Sequence, residues 1–83
     1  MSGLNQVLCA LTRIVKELVD RPLEVSVMAT GNDFVIDVHP DDLGKIIGRR
    51  GATIRAIRVW VAACGGKLKQ PLRVQLVGDR RSA

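Results

Sequence analysis

The sequence is poor in the residues that most often carry chemistry. Of its 83 residues one is histidine, two are cysteines and none is tyrosine, and the aromatic fraction is 2%. His39 is interpreted as structural, because a lone histidine lacks the partners that a general base needs. Cys9 and Cys64 have no CxxC spacing and are interpreted as small buried hydrophobes, rather than disulfide or zinc partners. No nucleophile motif or metal-ligand cluster is evident, so we predict a protein that is not an enzyme and uses no cofactor or metal.

Long apolar runs are also absent. The fully apolar stretches fall far short of the roughly 20 residues that a membrane-spanning helix requires. The chain opens without the charged, apolar and small-residue succession of a secretory signal. With no repeats and a hydrophobic fraction of 47%, it is expected to form one soluble, cytoplasmic domain.

Acidic residues are missing from the second half of the chain. No aspartate or glutamate occurs from Leu43 to Gly78, and seven of the eight acids precede this segment. The segment carries eight basic residues: Lys45, Arg49, Arg50, Arg55, Arg58, Lys67, Lys69 and Arg73. Such asymmetry is typical of a polyanion binder, because phosphates neutralised by the protein release their counterions. A merely solvated basic face is the alternative.

Hydrophobic periodicity predicts six elements. Apolar residues at spacings of three and four predict a helix from Leu4 to about Val19. Alternating residues around "TGND" predict a hairpin with positive backbone angles at Gly31 and Asn32. A short helix capped by Asp41 should end at Gly48. A longer helix, from Gly51 to about Cys64, should be closed by Gly65 and Gly66, and "LRVQLV" should form the last strand.

This order, αββααβ, predicts an α+β fold. The hairpin makes two strands antiparallel and the third joins after a helix pair, so we expect a three-stranded mixed sheet covered on one face by three helices. The domain should comprise residues 1–78, followed by a short basic tail at 79–83.

The stretch "KIIGRRGATI" places two arginines between two glycines at the junction of two helices. Glycine tolerates the backbone angles of a tight reversal. It also lets a sugar-phosphate backbone approach the amide groups and the positive end of the following helix. Arg49 and Arg50 would neutralise phosphates, while Ile46, Ile47 and Ile54 would form an apolar wall for unstacked bases.

The pattern IGxxGxxI, in this element order, resembles the signature of the KH domain, whose GxxG loop clamps four nucleotides of RNA backbone. The order resembles the type II form. "ELVDRP", "VHPDDLGKIIGRRG", "IRAIR" and "GGK" extend the likeness to the KhpA family of small bacterial proteins. The resemblance implies binding of single-stranded RNA, an RNA-chaperone or post-transcriptional role, and self-association or pairing with the larger KH protein KhpB. The residues expected to bind RNA are Lys45, Ile46, Ile47, Gly48, Arg49, Arg50, Gly51, Ile54 and Arg55.

The long helix is apolar nearly all round, which predicts that it is buried nearly all round. Ile54, Ile57, Val61 and Cys64 share the arc that should face the sheet. The remaining apolar residues would need another partner, so we predict a homodimer interface. Its expected residues are Ala56, Val59, Trp60 and Ala63. The alternative places Trp60 in the core, against the first helix or the last strand.

Two other functions remain open at this point. A KH fold could serve as a protein-interaction module without using RNA, which Trp60 favours and the arginines of the turn oppose. Binding of single-stranded DNA is equally compatible with the residues, because contacts to a 2′-hydroxyl cannot be read from them. Since stacking aromatics are nearly absent, weak binding with low sequence discrimination and strong salt dependence is expected.

Overall fold

The computed structural model describes residues 3–77. Within this range the elements follow the predicted order αββααβ, with short 3₁₀ turns between some of them. The predicted end of the domain at residue 78 and the predicted tail at 79–83 lie outside the described residues. The elements are α1 (Gly3–Leu18), β1 (Ser26–Thr30), β2 (Asp33–Asp37), α2 (Leu43–Ile47), α3 (Ala52–Leu68) and β3 (Arg73–Leu76).

The three strands form a mixed sheet, as predicted. β2 lies in the centre, pairing antiparallel with β1 and parallel with β3. A two-residue turn joins β1 to β2. Gly31 has a φ of 60°, but Asn32 is not among the residues with positive φ, so only one of the two predicted left-handed residues is present. A positive φ at the first central position alone fits a type II′ hairpin.

The helices cover one face of the sheet. Alternate residues of β2, Phe34 and Ile36, are buried beneath them, as the period of two along a strand requires. α1 contributes a buried stripe at four-residue spacing, and α3 contributes a second one at spacings of three and four. The two stripes consist of Val7, Leu11 and Val15 in α1, and Ile54, Ile57 and Val61 in α3. Cys64, predicted to continue the α3 stripe, is partly buried against this core.

The end of α3 differs from the prediction. The helix continues through Gly65 and Gly66 to Leu68, and Lys69 ends it in the left-handed region at a φ of 60°. The N–H of Lys69 bonds to the carbonyl of Gly66 and that of Gln70 to the carbonyl of Gly65, which is the bond pair of a Schellman motif. Gly65 serves packing instead, since a Cβ there would lie 3.1 Å from the backbone nitrogen of Leu72 and still closer to the carbonyl oxygen of Gln70.

The start of α2 also differs from the prediction. The Asp41 side chain does not cap the helix; the Nδ1 atom of His39 accepts a hydrogen bond from the backbone N–H of Asp41 at 3.0 Å. His39 thus has a structural contact, in line with its interpretation from the sequence. Among residues 3–77, no helix has the length and apolarity needed to cross a bilayer.

Candidate nucleic-acid interface

The glycine turn, Gly48–Gly51, joins α2 to α3 through unusual backbone angles. Gly48 has φ 77° and ψ 175°, Arg50 has φ 56° and ψ 26°, and Gly51 has φ 77° and ψ 15°. Gly48 also packs tightly, because a Cβ there would lie 2.8 Å from the backbone nitrogen of Thr53 and closer still to the Thr53 side chain. The first glycine is therefore required by the fold of the turn itself.

Arg49 and Arg50 lie at the tip of the turn, where both are exposed. Within residues 3–77 neither guanidinium forms an ion pair. Arg50 is one of two non-glycine residues in this range with a positive φ, a conformation that costs an L-residue roughly 1–2 kcal/mol. The turn thus presents two uncompensated positive charges on a constrained backbone.

Arg55 braces the turn from the first turns of α3. Its Nη1 atom donates a hydrogen bond of 2.7 Å to the carbonyl oxygen of Arg50. The same atom would lie 3.0 Å from a Cβ at Gly51, so a side chain at that position would crowd it. Arg55 therefore adds positive charge beside Arg49 and Arg50 while it holds the turn in place.

The three isoleucines of the predicted wall are placed differently from one another. Ile46 is fully buried and Ile54 is 5% exposed, so both side chains point into the core. Ile47 is only partly buried and packs against the edge of that core. Val38, on the adjoining strand segment, is buried as well. Of these residues only Ile47 offers appreciable surface to a base.

A second groove, which the sequence reasoning did not identify, lies between α3 and the free edge of β3. We call it the α3–β3 groove, and its lining comprises Arg58, Ala62, Leu72, Arg73 and Val74. Arg58 lies about 9 Å along the helix axis from Ala52, the first residue of α3 after the glycine turn. The sequence signal for this groove was the alternation in "LRVQLV", which predicts β3. In the structure β3 pairs only with β2, so its other edge is open beside α3. The groove has an apolar floor with two arginines at its margin.

The two arginines of the α3–β3 groove differ in their partners. Arg73 donates from Nε to Oδ1 of Asp33 at 2.9 Å, and the Asp33 Oδ2 accepts from Gln75 at 2.8 Å. This pair joins β3 to β2 on exposed surface. Arg58 is exposed and has no ion-pair partner in the described part of the chain. Arg58 therefore continues the positive charge of the turn along α3.

Lys45, also predicted to bind RNA, lies beside acids instead. Its Nζ atom is 3.2 Å from Oδ2 of Asp20 and 3.6 Å from Oδ1 of Asp42. The hydrogen bond and the charge of Asp20 raise the pKa of Lys45 above its ordinary value of 10.5, against the opposing effect of burial, and Asp42 adds to the rise. Lys45 is thus paired with two acids, whereas Arg49 and Arg50 have no ion-pair partner among the described residues.

The predicted dimer residues lie on the surface of α3 that faces away from the sheet. Ala56, Val59 and Ala63 are exposed, and Val59 retains 70% of its accessible surface. Trp60 is partly buried in the seam between α1 and α3, so it packs against the core and still reaches the surface. Ile14 and Leu18 of α1 extend this surface, each with 37% exposed. We call the set the α1–α3 apolar face: Ile14, Leu18, Ala56, Val59, Trp60 and Ala63.

Metal chemistry has no support in the described region. No three histidine, cysteine, aspartate or glutamate side chains within residues 3–77 are grouped so that they could hold an ion. Cys9 is exposed and Cys64 is partly buried, and both are free thiols. The prediction that Cys9 is a buried small hydrophobe is therefore wrong, because it lies on the outer side of α1.

Comparison with known proteins assigns this chain to a family. The sequence profile described as "KhpA/KhpB, KH domain" matches residues 10–76, which include the glycine turn and the α3–β3 groove. No solved structure gave a significant match.

Several similar proteins are each named RNA-binding protein KhpA. The protein of Streptomyces coelicolor is 47% identical, over 82% of this chain and 87% of its own length. That of Mycobacterium tuberculosis is 44% identical, over 70% and 78% respectively. That of Leifsonia xyli is 40% identical, over 84% and 95%. These names describe RNA binding and not catalysis, in agreement with the prediction that the chain is not an enzyme. The profile match across most of the chain, together with identities of this size, shows that the chain belongs to the KhpA/KhpB family of KH domains.

Proposed function

We propose that this protein binds single-stranded RNA by holding the sugar-phosphate backbone at the glycine turn. Two exposed arginines without ion-pair partners in residues 3–77, on a turn with left-handed backbone angles, carry this proposal. The backbone of such a turn, at the start of α3, adds N–H groups and the positive end of the helix dipole. The relatives named RNA-binding protein KhpA support RNA as the ligand.

The bases lie beyond the turn, in the α3–β3 groove. Ile46 and Ile54 are core residues, so the apolar wall first expected there is reduced to Ile47 at the entrance. Leu72 and Val74 are nearly as buried as Ile54, at 6% and 7% exposed, so the groove offers a base mainly the exposed side chains of Ala62 and Arg58. With no aromatic side chain in the groove lining, stacking contributes little and the affinity of one domain is micromolar or weaker.

Reversing the two charges of the turn tests the proposal. The Arg49→Asp, Arg50→Asp variant should lose at least about tenfold in affinity for a fluorescein-labelled oligouridine, or 1.4 kcal/mol, measured by anisotropy. Arg13→Asp with Lys16→Asp is the matched control, because it makes the same charge change on exposed positions of α1. Equal losses in both variants would show that only net charge matters and that the turn is not the clamp.

The salt dependence supplies a second measurement. Neutralising Arg49 and Arg50 to glutamine should reduce the slope of log K against log salt by about 1.4, since each phosphate contact on a single strand contributes about 0.7. An unchanged slope would contradict a phosphate clamp. Repeating the titration with oligothymidine distinguishes RNA from single-stranded DNA, because the DNA lacks the 2′-hydroxyl.

The α1–α3 apolar face supports a second role, in self-association. Val59 is 70% exposed, and Trp60 lines a shallow apolar pocket with Ile14, Leu18 and Ala56. The proposed occupant is a second copy, paired about a twofold axis. The family resemblance extends the same face to a heterodimer with a larger KhpB-family protein. An RNA-chaperone or post-transcriptional role in the cytoplasm follows from that resemblance and stays a prediction.

A further inference from the structure

Asp42 is the one fully buried charged side chain in residues 3–77. It directly precedes α2, the five-residue helix that leads into the glycine turn. Buried carboxylates are costly unless they are paired and hydrogen-bonded. Its position therefore requires specific partners, and the RNA clamp does not use it.

The partners of Asp42 come from the segment that follows α1. The backbone N–H of Arg21 donates to its Oδ2 atom at 3.1 Å. The contact with Arg21 joins positions 21 residues apart in sequence. Asp42 thus ties the start of α2 to the connection between α1 and β1.

The other carboxylate oxygen, Oδ1, has no hydrogen-bond partner within the described residues. It lies 3.6 Å from Nζ of Lys45 and 4.0 Å from a guanidinium nitrogen of Arg21. The Lys45 ammonium also reaches Asp20 at 3.2 Å. Lys45 therefore lies between two carboxylates, one from its own helix start and one from the end of α1.

Apolar packing also holds α2, through the fully buried Ile46 and through Leu43 and Ile47, which are partly buried against the core. Five residues are nevertheless too few to form a stable helix alone. The glycine turn begins at Gly48, immediately after the helix. Any shift or rotation of α2 would consequently move Arg49 and Arg50 relative to the start of α3.

We propose that Asp42 is a positioning residue for the glycine turn, and that Lys45 completes this lock with Asp20 instead of contacting RNA. The inference rests on the proposed RNA-binding function. To meet a phosphate, the Lys45 ammonium would have to leave both carboxylates. The exposed Asp20 carboxylate beside it would in addition repel the incoming phosphate.

Three variants test the lock. Asp42→Asn keeps the volume and can still accept the Arg21 N–H, but it removes the charge that Lys45 meets. Lys45→Gln removes the cation, and the double variant removes both. Asp41→Asn is the matched control, since it deletes the same charge at the neighbouring residue, whose side chain is 69% exposed. The probe is labelled oligouridine of about 12 nucleotides, three times what one KH domain clamps.

Affinity, its salt slope and the amide NMR shifts of Gly48 to Gly51 are measured for each variant. Asp42→Asn should weaken binding at least about fivefold, or roughly 1 kcal/mol, and should move the turn amides, while the salt slope stays that of the unmodified protein. Lys45→Gln should act in the same way. The double variant should be no weaker than Asp42→Asn, because the two residues act through one contact. Asp41→Asn should leave the affinity and the turn amides unchanged.

Two results would overturn the proposal. A salt slope that falls by about 0.7 in Lys45→Gln would show that Lys45 meets a phosphate. RNA binding and turn amides in Asp42→Asn that match those of Asp41→Asn would show that Asp42 positions nothing. If Asp42→Asn does not fold, the slope and amide shifts of Lys45→Gln still decide. Failure of the clamp itself can be distinguished from failure of the lock. If the glycine turn does not clamp RNA, the Arg49→Gln, Arg50→Gln variant will bind RNA with an unchanged salt slope.

Discussion

Gly48 and Gly51 look equivalent in the sequence, yet they serve the turn in different ways. Both have a φ of 77°, which an L-side chain rarely adopts. Gly48 is also pressed against Thr53, where a Cβ would meet both the backbone and the side chain. At Gly51 a Cβ would meet only the end of the Arg55 side chain. Both glycines were expected to leave room for RNA. Gly48 is in addition required by the fold, because a side chain there would collide with Thr53.

The tight packing of Gly48 predicts that a side chain at this position destabilises the fold. Gly48→Ala should lower the free energy of unfolding by more than about 1 kcal/mol, because neither its φ nor its surroundings accept a methyl group. Gly44→Ala is the control, since it lies four residues earlier in α2 with nothing within 4 Å of a Cβ, and it should be neutral or stabilising by up to about 1 kcal/mol. Urea unfolding measures both. Equal stabilities would contradict the packing described for Gly48.

The adjacent aspartates of "HPDD" also appear alike in the sequence. Only the tertiary structure separates them, because α1 ends next to Asp42 and leaves Asp41 at the surface. Burial by itself raises the pKa of Asp42. The N–H groups of Asp20 and Arg21 and the charges of Lys45 and Arg21 outweigh it, so that the pKa lies below its ordinary value of 3.8.

This pKa shift predicts a pH dependence of stability. A carboxyl whose pKa is lower in the folded state contributes stability above its unfolded pKa and loses it as the pH falls through the folded pKa. The contribution of Asp42 should thus be complete above about pH 4 and be lost below it. Thermal melting between pH 2 and 5 should show a smaller decrease for Asp42→Asn than for the unmodified protein. A parallel decrease in both would contradict the shift.

At the scale of elements, the sequence predicted the number, type and order of helices and strands correctly, and it misplaced the end of α3. Gly65 and Gly66 resembled a helix stop, since glycine commonly follows the last helical residue. The helix instead passes through both of them. Gly65 allows the chain to return closely past α3 toward β3, and Lys69 ends the helix in a left-handed conformation.

Two glycine substitutions near this helix end should have opposite effects. Lys69→Gly should stabilise the fold by up to roughly 1 kcal/mol, because glycine adopts the left-handed conformation without the penalty of a Cβ. Lys67→Gly, two residues earlier and inside the helix, should destabilise it by about 1 kcal/mol. Both side chains are exposed and make the same charge change, so each controls for the other. Destabilisation by both, seen in urea unfolding, would contradict the cap.

At the scale of the whole molecule, α3 contributes to both proposed functions. Its start and one side carry the glycine turn and the α3–β3 groove, and another side forms the α1–α3 apolar face with α1. A chain of 83 residues has few elements with which to cover a long apolar helix. Placing α1 beside α3 half-buries Trp60 and leaves Val59 in contact with solvent. Trp60 thus packs partly against the core, and its role in a dimer interface stays a prediction.

Self-association can be tested without disturbing the core. Val59→Asp should convert the protein to a monomer in sedimentation velocity at micromolar concentration, since it places a charge at the most exposed large apolar residue of the α1–α3 apolar face. Ala62→Asp is the control, as it lies about 60° further round α3 from Val59, on the groove side. Trp60→Ala is less suitable because Trp60 also packs against the core. If the unmodified protein sediments as a monomer, the proposed homodimer is refuted.

The sequence by itself determined the α+β class, the order of the elements and the glycine turn with its two arginines. These features depend on local periodicity, turn chemistry and charge, which neighbouring residues carry. The burial of Ile46 and Ile54, the α3–β3 groove, and the capture of Lys45 by Asp20 and Asp42 were decided by the tertiary structure. Each of these depends on which side of a helix meets a segment distant in sequence, such as Asp20 and Arg21 beside Asp42, and no local pattern contains that information.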